Sequence, residues 1–174
     1  MAVIEAIATT YLEADAASVT FTGIPATYEH LQLRFTVRGD RTNSTTSTEV
    51  RLNGDTGTNY SGQTSYGTGS NKYAFTSTGT TYLGYSGHLV TPAGTRPATN
   101  YAHCVVDILD YANTNKNTTV LFNWYINQGT YGQIGTSSGL WDNTAAVNAI
   151  SLAQNSTYNV VRGSEFTLYG LASS

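Results

Sequence analysis

Residues 28–39, YEHLQLRFTVRG, decide the fold class. Leu31, Leu33, Phe35 and Val37 fall on one side of an extended chain. His30, Gln32, Arg34, Thr36 and Arg38 fall on the other. Successive side chains of a strand point to opposite faces, so strict alternation marks a sheet with one buried and one wet face.

Working outward, SVTFTGIP (18–25) reads as a strand ended by Gly23 and Pro25. DRTNSTTST (40–48) reads as a polar loop, and EVRLN (49–53) as a strand with Val50 and Leu52 on one side. Asn53-Gly54-Asp55 then predicts a hairpin turn, because Asn and Gly tolerate positive φ. From 56 to 87 periodicity is weak and Gly recurs, which predicts short edge strands and long loops. VTPAGTRPATN (90–100) reads as a loop. YAHCVVDILDY (101–111) and TTVLFNWYIN (118–127) read as a central pair joined by ANTNKN. Val120, Phe122, Trp124 and Ile126 share a face there, with Trp124 as an anchor. YGQIG, AAVNAISLA and SEFTLYGL follow, and in the last Phe166, Leu168 and Tyr169 compete for the core face. DNTAAVNAISLAQ (142–154) could be capped as a helix, but its all-β surroundings favour a strand over 147–152. The expectation is an all-β protein of seven to nine short strands: a single antiparallel β-sandwich domain over 1–174, jelly-roll-like. Residues 1–17 are expected to form an N-terminal interaction arm or strand, with Val3, Ile4, Ile7, Tyr11 and Leu12 as an intersubunit strand.

Composition agrees with this class and excludes others. Charged residues are 11% of 174, under half of the roughly 25% usual in soluble domains, so Thr, Ser, Asn and Gly must supply the polar surface. Net charge is −3 and no basic cluster exists, which argues against nucleic acid. No apolar run approaches the ~20 residues of a membrane helix, and the first residues lack the basic and apolar regions of a secretory signal. Cys104 is the only cysteine, so stapling within the chain is excluded, and its apolar setting predicts a buried, inert thiol.

Motifs that match chemical signatures in part fail their physical tests. GTGSNK (67–72) lacks the Gly-Lys-Ser/Thr ending and the helix that a phosphate loop needs. Asp55, Gly57, Asn59 and Ser61 space oxygen ligands loosely, but Tyr60 and Tyr66 stand where a calcium loop needs Gly and a bidentate Glu. Gly135-Thr136-Ser137-Ser138-Gly139 matches a nucleophile elbow only literally, since no histidine follows it. Asp107 and Asp110 are three apart on a predicted strand and so point to opposite faces. His30, His88 and His103 show no metal spacing. No catalytic residue, metal or cofactor is expected. What remains is Tyr60, Tyr66, Tyr73, Tyr82 and Tyr85 in a polar, nearly uncharged region. Such tyrosines suit adaptable contact surfaces. Packing of loops, a protein interface and sugar recognition all stay open for them.

Four segments in order, SVTFTGIPATYEHLQLRFTVRG, LNGDTGTNYS, GLWDNTAAVNAISL and GSEFTLYGL, resemble small virion-associated proteins of tailed bacteriophages, many from marine or freshwater hosts. The resemblance spans about 18–171 and is weakest over 65–100. It implies a non-enzymatic particle protein made in a bacterial cytoplasm and located in the virion. A capsid decoration or cement protein is the leading role, and a tail, collar or fibre component binding host glycans or another tail protein is the alternative. Its partners would be other virion proteins or copies of itself, with no nucleic acid and no membrane. It carries over no catalytic residue.

Overall fold

The alternating segments become strands, and they pair antiparallel throughout. The computed structural model describes residues 3–84, 89–127, 132–155 and 157–172. Its strands are β1 (Val3–Tyr11), β2 (Ser18–Thr22), β3 (His30–Val37), β4 (Thr45–Leu52), β5 (Tyr60–Thr68) and β6 (Asn71–Thr80). They continue with β7 (Val90–Pro92), β8 (Ala102–Leu109), β9 (Thr118–Asn127), β10 (Gly132–Trp141), β11 (Ala149–Gln154) and β12 (Glu165–Ala172). Eight form one sheet in the order β1-β12-β3-β8-β9-β10-β5-β6, and four form a second in the order β2-β11-β4-β7. The two sheets make a β-sandwich; that order does not single out a jelly roll. Among the described residues there is no helix, and so none long and apolar enough to cross a membrane.

The core lies between the sheets. Leu31, Leu33, Phe35 and Val37 of β3 are buried, as are Val120, Phe122, Trp124 and Ile126 of β9, and Phe166 and Leu168 of β12. They meet Val19 and Phe21 of β2, Val50 and Leu52 of β4, and Ile150 and Leu152 of β11 in one cluster. Each fully buried Val, Leu, Ile or Phe side chain contributes roughly 1.5–3 kcal/mol relative to exposure. Phe35 and Phe166 stack at 5.3 Å across β3 and β12. Tyr169 turns outward instead, with the Arg34 guanidinium over its ring.

Close approach of rings needs glycine on the inner face. Gly135 of β10 pairs with Trp124 of β9, and a Cβ there would overlap the indole. Gly139 makes the same room for Phe122 and Leu83, and Gly170 for Tyr28. Gln154 and Arg38 enter the interior with their polar groups paired. The buried Gln154 amide accepts from Thr91 Oγ1 (3.2 Å) and donates to Thr48 Oγ1 (3.1 Å). Buried Arg38 donates to the carbonyls of Arg96, Pro97 and Asn100, tying down the loop after β7, and its burial lowers the guanidinium pKa.

Several expectations are corrected. Residues 60–68 and 71–80 are not short edge strands among long loops but a hairpin of nine- and ten-residue strands. Their inward positions include Gly62 and Thr64, so the apolar alternation that reveals a strand is missing. The strand after 40 begins at Thr45, and Val90–Pro92 pairs with it. Asn53 (φ 52°) and Gly54 (φ 67°) do turn with positive φ, yet the turn joins β4 of the small sheet to β5 of the large one rather than closing a hairpin. Turn chemistry fixes the local bend, not the sheet the next strand joins. The ambiguous segment is strand β11, preceded by buried Val147.

Candidate functional site

The tyrosines singled out by sequence separate into different environments. Tyr60 is core: it is 1% exposed and stacks on Trp141 at 6.4 Å. Its hydroxyl accepts from the Leu52 N–H (3.2 Å) and lies 3.2 Å from the Asp55 carbonyl, to which it donates. Burial pushes its pKa up to about 12. It is therefore removed from any contact surface. Tyr82 is half-buried with the Arg51 guanidinium 5.2 Å above its ring. Tyr85 and His88 lie outside the described residues.

Tyr66 and Tyr73 stay together. Register places Tyr66 beside Gly135 and Tyr73, and Thr64 beside Phe75. These positions face inward, because Thr64 and Gly135 are buried there. Tyr66 stacks on Tyr73 at 4.9 Å and on Phe75 at 5.9 Å, and meets Trp124 at 5.5 Å with the rings tilted by 51°. Yet Tyr73 is 40% and Phe75 43% exposed. The ladder thus starts in the core at Trp124 and runs out to the sheet edge at β6. Phe75 was missed by the sequence reading, although it stands two residues from Tyr73 at strand period.

The predicted intersubunit strand belongs to this chain's own sheet. β1 pairs with β12 from Val3↔Ala172 to Tyr11↔Glu165, with an irregularity between Ala6 and Ala8. Ile7 and Leu12 are partly buried against the core, while Val3, Ile4 and Tyr11 are exposed.

A surface that sequence reading did not identify covers the outer face of the large sheet. Leu109 of β8, Leu121 and Tyr125 of β9, and Ile134 of β10 are 50%, 44%, 46% and 67% exposed on three adjacent strands. Ile134 sits directly opposite Tyr125. Along β10 and β5 this face sinks into adjoining depressions of about 480, 480 and 400 Å³. Their floor is Ser61, Gln63, Ser65, Thr136 and Ser138, with Leu121 on one wall. Among the outward residues of β9, β10, β5 and β6, Lys72 is the only charged one. Charge gathers on the other half of the face, where Arg34 donates to Gln32 and Gln32 to Asp107, both at 2.6 Å. The signal was period-two alternation in GQIGTSSGLW with its usual sense inverted: Ile134 outward, Gly135 and Gly139 inward.

Other motif residues have structural partners. Asp55 accepts from Gly57 N–H (2.8 Å), Asn59 Nδ2 (2.9 Å) and the buried Trp141 Nε1 (2.7 Å). Hydrogen bonds from Asn59, then Trp141, then Gly57 hold its pKa below the usual carboxylate value. The Gly135–Gly139 motif lies within β10, and Ser137 there hydrogen-bonds Thr64 at 2.5 Å. Asp107 is on β8, but Asp110 is not on the strand as expected. It lies in the following turn at φ 49°, pairs with Lys116 and gives its N–H to His30 Nδ1 at 3.0 Å. Cys104 is buried, which raises its thiol pKa. Among the described residues no three His, Cys, Asp or Glu side chains are grouped to hold a metal ion. The arrangement suits binding by surface complementarity.

Comparison of the chain with protein-family models, with curated proteins and with solved structures gives no match.

Proposed function

We propose that this chain is a non-enzymatic structural protein of a tailed-bacteriophage particle, acting as a decoration or cement protein on the outer head surface. The observation that carries this reading is the exposed apolar set Leu121, Tyr125 and Ile134 on the β9-β10-β5-β6 half of the face, whose only charge among the described residues is Lys72, with Leu109 bordering it on β8. Protein interfaces are depleted of charge at their centres and enriched in aromatic side chains, and contiguous exposed apolar residues mark contact sites. The sequence resemblance supplies the particle context, with folding in a bacterial cytoplasm and other virion proteins as partners. A jelly-roll-like connectivity belongs to the same reading. A cement protein stabilises the shell by binding the assembled state and not the free subunits. The test is co-sedimentation of purified protein with particles stripped of it. The native chain should pellet with particles, and the double variant Leu121→Asp, Ile134→Asp should stay in the supernatant while keeping its β-sheet circular dichroism. Equal pelleting of both, or of neither, refutes the outer face as the docking surface.

The depressions along β10 and β5 favour a second reading, a tail, collar or fibre component that binds host glycan. Their lining mixes hydroxyl and amide side chains with Leu109, Leu121, Phe75 and Ile134, a combination that suits the polar edges and apolar faces of a neutral sugar. Host polysaccharide that protects Lys72 from acylation would support it, and a glycan array without hits would remove it.

A further inference from the structure

The large sheet ends on β6, which among the described residues pairs only with β5. Among the described residues its other side has no backbone partner along the regular stretch 71–77, where alternate N–H and C=O groups point outward. Natural sheets blunt such edges with proline, inward charge or short length. β6 has no proline, is long, and carries a single charge, Lys72, near its start and on the outward face. Its inward side chains Tyr73 and Phe75 are large and exposed, which an edge facing only water does not call for. β6 is irregular near its end, where the register shifts opposite Tyr60–Gly62 and Gly79 takes φ 63°, so its regular edge is 71–77; β1 is interrupted in its middle, between Ala6 and Ala8, and its Glu5 is engaged by the Tyr28 hydroxyl at 3.0 Å.

We propose that β6 pairs antiparallel with β6 of a second copy of this chain, about a two-fold axis near Ala74, merging the two large sheets into one. Three features select a second copy. An antiparallel pair about a two-fold axis is self-matching, because residue i opposite j places j opposite i. An axis at Ala74 sets Tyr73 of one copy against Phe75 of the other on the same face, extending the Trp124–Tyr66–Tyr73 run of ring contacts across the seam. The same axis sets Lys72 opposite Thr76, so the two ammonium groups lie at opposite ends and no like charges meet. The seam over residues 71–77 is roughly 24 Å long at about 3.4 Å per residue. With a sheet layer about 10 Å thick and the added rings, it buries on the order of 600–800 Å², below the ~1,200 Å² of a standard stable interface. Pairing is therefore reversible and concentration-dependent. It rests on the β6 edge alone and does not depend on the particle reading.

Sedimentation velocity across a concentration series tests it, together with cross-linking. The native chain should pass from monomer to dimer. Phe75→Lys and Thr76→Lys should each move that transition at least tenfold higher in concentration with unchanged circular dichroism. Opposed residues of an antiparallel pair have Cα atoms about 4.5–5.5 Å apart, within disulfide range. Ala74→Cys should therefore give a covalent dimer on oxidation with diamide, Cys104 being buried, while Ile4→Cys on β1 should not. A native chain that stays monomeric at all concentrations overturns the proposal. So does a dimer indifferent to the β6 variants, or one cross-linked through β1 instead.

Discussion

Removing the Asp55 carboxylate should be among the most damaging changes outside the apolar core. In Asp55→Ala the Trp141 indole N–H, on a side chain 1% exposed, loses its carboxylate acceptor. An orphaned buried donor costs about 1–3 kcal/mol. The bonds from Gly57 and Asn59 are nearer solvent, and together they add about 1 kcal/mol. The loss is thus about 2–4 kcal/mol, which at an m-value of about 2 kcal/mol per M lowers the urea midpoint by about 1–2 M. Asp55→Asn keeps the shape but sets an amide N–H₂ against one of three donors, so it should fall between the two. Unfolding followed by tryptophan fluorescence measures all three chains. Acid should reproduce the effect in part. A carboxylate whose pKa is depressed in the folded state gives stability that is complete above the unfolded value near 3.9, and that is lost as pH falls through the folded value. The native chain should therefore lose part of this increment as pH falls below about 4, and Asp55→Ala should not. An Asp55→Ala midpoint within about 0.2 M of native at neutral pH would refute the reasoning.

Two further predictions rest on packing and burial. Gly135→Ala should destabilise by about 1–3 kcal/mol in the same assay, because its Cβ overlaps the buried Trp124 ring, whereas Gly67→Ala, which meets only the Asn71 carbonyl at 3.9 Å, should be much milder. Cys104 should resist a thiol-specific disulfide reagent in the native chain at pH 8 and react fully in denaturant; rapid native reaction would contradict its burial.

What the sequence reveals follows from where apolar side chains are needed. β3, β8, β9 and β12 alternate legibly because their inward residues touch the opposite sheet and must be apolar. β5, β6 and β10 are obscure for the converse reason. Trp124, Phe122 and Leu83 lie across them, so Gly135 and Gly139 must be empty and Ser137 and Thr64 can satisfy each other. That inversion also hid Trp141 and the outward Ile134. Tyr60 and Tyr66 look alike in sequence, and only the path of the chain separates them. The turn at Asn53 carries Tyr60 under the small sheet, while Tyr66 lies farther along β5, where the ladder runs out to the edge.

The central claim is that this sandwich is a component of a particle built from many contacts of modest size. Quantitative mass spectrometry of purified particles, calibrated with a labelled peptide from this chain, tests it most directly. The account predicts the polypeptide in amounts proportional to the major shell subunit. Its absence from the particle, or its presence at only a few copies confined to the tail, would contradict the decoration role.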